Sequence, residues 1–285
     1  MKLLILVGAL LLETFWSRLS QIRNHQWIAR FADWLEEHVN PNKSHSEWLI
    51  AGIILVLPLI VASILLNGQE GFVGFLFEML LGLILVTWTL GPVNLNAFYH
   101  QLEGESQDAN ELPIKLVKYV HKAYFGAIIW FVILGPVGAL AYRMIAVMES
   151  HSKGKLQSYN EEDFSEKEDE TEPANKSHSE DDSLKSSTQT DVWARLYFVA
   201  DWIPARVSCF LFLLTGHFAS GFGDLKAKLT LFDYQEDDDN LISDVACKAL
   251  ASDDSDNALT QMRQLVERSL LLLMVFVALL TFFQL

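Results

Sequence analysis

Cysteine is nearly absent from this chain. Cys209 lies in an apolar run and Cys247 in a polar one, with no CxxC or Cys/His spacing, which excludes a disulfide framework and a zinc site. Basic residues are also few: 21 Lys and Arg stand against 36 Asp and Glu, a formal charge of −15. No basic face exists to neutralise phosphates, so nucleic acid is excluded as a partner. A phosphate-cradling glycine loop, a nucleophile elbow and a metalloprotease helix are missing too. The acidic stretches 237–240 and 253–257 lack the loop glycine and terminal Glu of a calcium-binding loop and read as solvated turns. No metal, cofactor or catalytic residue is assigned from these patterns.

The negative charge is confined to two places. Residues 149–191 and 233–256 each carry a net −8, which accounts for the whole excess and leaves a near-neutral body. Residues 150–190 are rich in Ser, Glu, Asp and Lys without aliphatic periodicity. They cannot bury enough apolar area to offset ordering entropy, so 149–191 is expected to be a disordered acidic loop.

What the chain does contain is long apolar runs with few charges. A bilayer core about 30 Å thick needs roughly 20 such residues in a helix, because only intrahelical bonding satisfies the backbone there. Trp48–Leu66 qualifies, with Pro58 as a site for a kink, and Phe72–Leu90 is interrupted only by Glu78. Ala123–Met148, with Arg143 near its far end, and Ser269–Leu285 follow. Residues 2–16 contain Glu13 and lack a small-x-small cleavage site, so they read as a retained first helix rather than a secretory signal. Residues 192–222 carry Asp201, Pro204 and Arg206 in their middle, which predicts a broken, re-entrant or bundle-buried segment. Residues 25–39 have helical apolar spacing and a Trp-rich face suited to the membrane surface or the underside of a bundle.

The expected fold is all-α: a polytopic transmembrane helical bundle with about five spans, one broken segment and the acidic loop. It divides into membrane helices with an amphipathic segment (1–148), the loop (149–191), and a C-terminal part with a last span (192–285). The lipid bilayer is the first partner. Arg18, Arg23, Arg30 and Lys43, then Lys115, Lys118 and Lys122, place 17–47 and 91–122 in the cytoplasm, with 67–71 and the acidic loop outside.

Ionisable residues inside such segments are costly, so Glu13, Glu78, Arg143, Asp201 and Arg206 are the candidates for function. They form either a ligand-binding polar core or structural ion pairs, Asp201 with Arg143 or Glu13 with Arg206. Gly135, Pro136 and Gly138 allow close backbone approach and leave carbonyls for a partner. His100, His121 and His217 read as boundary residues.

At GPVGALAYR (135–143) and ADWIPARVSCFLFLLTGH (200–217) the sequence resembles the AmpE/CobD (CbiB) membrane family. A Gly-Pro-x-Gly-Ala-x-x-Tyr-Arg pattern is followed, in order, by Asp-x-x-Pro-x-Arg. The family's synthase branch, which forms an amide bond with ATP, has carboxylates and an Asn flanking the first motif. Here those places read KLVKYVHKAYFGAIIW and MIAVMESHSK. With Trp202 after Asp201 and the Gly216-His217 ending, the resemblance implies the AmpE branch. It implies a multi-pass bacterial inner-membrane protein linked to β-lactamase induction, antibiotic response and cell-wall sensing. Asp201, Arg206, Tyr142 and Arg143 would form its polar core, and a cell-wall-derived ligand or another membrane protein would be its partner. The alternatives are a divergent synthase of the CobD/CbiB type and a small-solute transporter using 192–222.

Overall fold

The structure, a computed structural model, describes residues 2–15, 25–39, 47–67, 71–104, 111–167, 179–228, 238–250 and 257–283. Among these, the chain is helical with no strand: α1 (Lys2–Phe15), α2 (Gln26–Val39), α3 (Glu47–Asn67), α4 (Gly71–Thr89), α5 (Leu95–Glu103) and α6 (Glu111–Leu134). Then follow α7 (Pro136–Lys167), α8 (Ser179–Thr215), α9 (Phe218–Lys228), α10 (Asp238–Leu250) and α11 (Ala258–Phe283). Among the described residues, three helices are long and apolar enough to cross a membrane: α6, the Val192–Thr215 part of α8, and α11. The apolar stretches Leu4–Glu13, Ala51–Leu66 and Gly74–Thr89 within α1, α3 and α4 are shorter among the described residues.

The outward faces explain why water is a poor solvent for this bundle. Ile53, Leu57, Ile60 and Ile64 form an exposed stripe on α3, and Leu271, Val275, Leu279 and Phe282 form one on α11. Contiguous apolar surface of this extent suits lipid contact. Within the bundle α6, α7 and α8 pack against one another, with α10 and α11 closing over α6 and α8. α1 lies on α4 and sends Leu6 and Ala9 into the core. The amphipathic α2 is helical as its spacing predicts, but it buries Ile28 and Ala32 while Trp27 and Trp34 stay exposed.

The apolar run 123–148 is not one span. Gly135 has φ 78° and ψ −161°, a conformation that costs a residue with a Cβ heavily. Pro136 opens α7, where its missing N–H is no loss. A Cβ on Gly138 would lie 2.5 Å from the Leu134 Cβ and 2.6 Å from the Trp130 carbonyl oxygen, so only glycine permits this tight reversal. The run is therefore a helical hairpin, the end of α6 followed by the start of α7. Lys122 Nζ reaches Glu149 Oε2 at 2.6 Å, which puts the approach to the hairpin and its exit at one end. The expectation that 91–122 and the acidic segment lie on opposite sides is thereby corrected. Mean hydropathy does not register a change of chain direction.

In 192–222 the break falls at the glycines and not at Pro204, and the helix before it is largely buried in the bundle. α8 runs uninterrupted through Pro204, and the chain turns only at Gly216–His217 before α9. Proline lacks the N–H that would bond the carbonyl four residues back, at Ala200. Trp130 Nε1 donates to that oxygen at 2.8 Å, so the neighbouring helix supplies the missing donor. The acidic segment also departs from expectation: α7 continues to Lys167 and α8 begins at Ser179, while 168–178 lie outside the described residues. Its Glu, Lys and Gln residues favour helix, and each end extends a helix already nucleated by packing.

Candidate functional site: a sealed polar network beside an open cleft

A cluster of fully buried polar groups forms where α6, α7 and α8 touch. On α8, Asp201, Ala205, Ser208 and Phe212 recur at helical spacing and have no exposed surface. His121 enters from α6, where residues His121–Phe125 widen into a single π-turn closed by the Gly126 N–H on the His121 carbonyl. Such turns occur often at functional positions. His121 Nε2 donates to the Asp201 carboxylate, 2.9 Å from Oδ1 and 3.1 Å from Oδ2, and its Nδ1 is 3.0 Å from Ser208 Oγ. Tyr142 on α7 donates its hydroxyl to Asp201 Oδ1 at 2.7 Å. A Cβ on Gly126 would fall 2.1 Å from the Tyr142 ring, so the glycine makes room for that phenol.

Carboxylate, imidazole and hydroxyl thus line up in the order of a nucleophile-activating relay. Ser208, however, has no exposed surface, and no substrate atom can approach it in this conformation. The network joins three helices with each polar group partnered, as buried charge requires.

The remaining predicted residues are distributed rather than gathered. Arg206 points away from Asp201: its Nη1 donates to Asp238 Oδ1 at 2.7 Å and to the Trp202 carbonyl at 3.1 Å, tying α8 to α10. Burial pushes the Asp238 carboxyl above its usual range, against the pull of Arg206. Glu13 accepts the Tyr124 hydroxyl at 2.5 Å, and its backbone carbonyl accepts from Asn94 Nδ2 at 3.1 Å. Neither proposed ion pair, Asp201 with Arg143 or Glu13 with Arg206, is the pairing found; His121 and Tyr124 take those carboxylates instead. Glu78 is exposed on α4 and belongs to no polar core. His100 and His217 are exposed, but His121 is central and not a boundary residue. Lys118 and Lys122 on either side hide it in the sequence; the one supporting signal is Asp201 and Ser208 two turns apart on another helix.

Arg143 faces a different space. With His25, Lys122, Ser150 and His151 it lines a cleft of about 490 Å³ between α2, α6 and α7. Lys122 and Arg143 each directly follow a network member, His121 and Tyr142. Each helix therefore turns one residue toward the sealed network and the next toward the cleft. Glu149 stands at the same end, bonded to Lys122 at 2.6 Å and Lys153 at 2.5 Å. Burial alone would raise its carboxyl, but the two ammonium groups more than offset this and hold it below the usual glutamate range. Among the described residues, no group of three or more His, Cys, Asp or Glu is placed to hold a metal ion.

Scans of the chain against protein-family models, curated proteins and solved structures return no match.

Proposed function

We propose that this chain is a multi-pass protein of a bacterial inner membrane that regulates rather than catalyses, a ligand-responsive modulator linked to β-lactamase induction and cell-wall sensing. One observation carries the reading: the relay-like chemistry is sealed, whereas the open polar cleft lies on the adjacent residues of the same two helices. A ligand on Lys122 and Arg143 bears on α6 and α7 together. The His121–Asp201–Tyr142 bonds then couple any change in their packing to α8, a contiguous route for a population shift. The resemblance of 135–143 and 200–217 to the AmpE branch supplies the process that is regulated.

The test is deletion of the gene followed by measurement of inducible β-lactamase. The expected result is an altered response to inducer, restored by the wild-type chain and not by Arg143→Gln. An unchanged response in the deletion strain removes the regulatory reading. Restored cobalamin synthesis in a synthase-deficient strain would replace it with a synthase.

A further inference from the structure

The polar cleft has an apolar neighbour. A groove of about 450 Å³, entirely apolar in its exposed wall, runs between α2, α3 and α4 and is lined by Phe31, Leu57, Val61, Leu65, Trp88 and Leu140 among others. Three elements join the two spaces. α2 roofs both, with Gln26 and Ala29 on the cleft and Trp27 and Phe31 on the groove. On α7, Leu140 of the groove and Arg143 of the cleft are three residues apart, about 4.5 Å along the axis. Trp88 lines the groove while its carbonyl accepts from His25 Nε2 at 3.0 Å, and His25 lines the cleft with its ring 4.6 Å from the Trp88 ring.

Charge decides which amphiphile fits. Among the described residues lining the cleft none is acidic, although Lys122 donates to Glu149 Oε2 at 2.6 Å and His151 lies 3.4 Å from Asp33; the three cations Lys122, Lys153 and Arg143 still outnumber these two carboxylates. Groups of this kind recognise an acceptor-rich anion such as a phosphate. The groove beside it offers an acyl chain a dry apolar bed that leads out to the exposed α3 stripe.

We infer that the cleft and groove together bind one anionic lipid, its phosphate on Arg143 and Lys122 and an acyl chain along α3 and α4 beneath α2. This rests on the cleft being the ligand site of the proposed regulator and names the chemical class of that ligand.

The full chain is purified in detergent with phosphatidylglycerol or phosphatidylcholine, and the lipid retained per chain is read by native mass spectrometry. Preferential retention of one phosphatidylglycerol is expected. Arg143→Gln lowers that preference about fivefold, the effect of one basic residue on an anionic headgroup, and Arg143→Lys largely restores it. Val61→Trp, at an exposed groove position, lowers phosphatidylglycerol retention without touching the cleft and covers the case in which Arg143→Gln fails to fold. Equal retention of the two lipids, or retention unaffected by Val61→Trp, overturns the inference. So does displacement of the lipid by an equal concentration of inorganic phosphate, which would make the cleft a site for soluble anions. Lipid selectivity without an induction phenotype removes the regulatory reading alone. An induction phenotype without selectivity removes the lipid alone.

Discussion

Glu149 sits where α6 and α7 meet at the open end of the hairpin, with a 4% exposed side chain between Lys122 and Lys153. Because its folded-state carboxyl is held below the ordinary value of 4.5, ionised Glu149 stabilises the fold above that pH. The contribution disappears as pH falls through the lower folded value. Thermal unfolding in detergent is therefore expected to lose stability on acidification below 4.5. Glu149→Gln should be less stable at neutral pH by about 1–3 kcal/mol, the worth of charge-assisted bonds to a buried group, and flatter in the acid range. An identical acid slope in the variant would count against this account. At the same scale, Asp201 and Tyr142 are both buried and bonded to each other. Their partner was missed because a lone histidine beside a lysine looks like a membrane boundary. The π-turn that swings His121 inward is a backbone feature with no residue signature.

At the scale of elements, two prolines and one glycine decide what hydropathy cannot. Gly135-Pro136 reverses the chain inside an apolar run, while Pro204 leaves its helix intact. The difference lies in what surrounds each: Pro136 follows a glycine at positive φ, and Pro204 has Trp130 to satisfy the carbonyl it orphans. Trp130→Phe should cost about 1–3 kcal/mol by leaving the Ala200 oxygen without a donor. Pro204→Ala restores the helical N–H, so the double variant should recover most of that loss. Unfolding measurements on the four proteins of this cycle check it, and strictly additive effects would refute the coupling. The amphipathic α2 was legible because its apolar period is a property of the local chain. The helical ends of the acidic segment were not, since composition indicates solvation but not whether a packed helix continues into it.

For the whole molecule, the hairpin sets topology. If α6 and α7 return to one end, the first residue of α6 and the segment beyond Glu149 face the same compartment. Glu111→Cys and Gly154→Cys, both at exposed positions, are placed singly in a Cys247→Ser background in which Cys209 is buried. Labelling with a membrane-impermeant maleimide should give the same result for both, before and after permeabilisation. Opposite labelling would show that the 123–148 run crosses once, as hydropathy alone suggests.

The sequence by itself determined the solvent of this protein, because runs of apolar residues exclude water whatever their arrangement. It determined helicity as well, since a backbone in lipid has to bond within its own segment. It also marked Glu13, Arg143, Asp201 and Arg206 as charges that burial would oblige to find company, though not Glu149 or Asp238. Only the tertiary structure decided the partners: Asp201 with His121 and Tyr142, Arg206 with Asp238, Glu13 with Tyr124. Burying a charge demands a counterpart, but many residues of the chain meet that demand equally well. Direction of the chain at Gly135 and the packing of α6, α7 and α8 bring one particular counterpart within 3 Å.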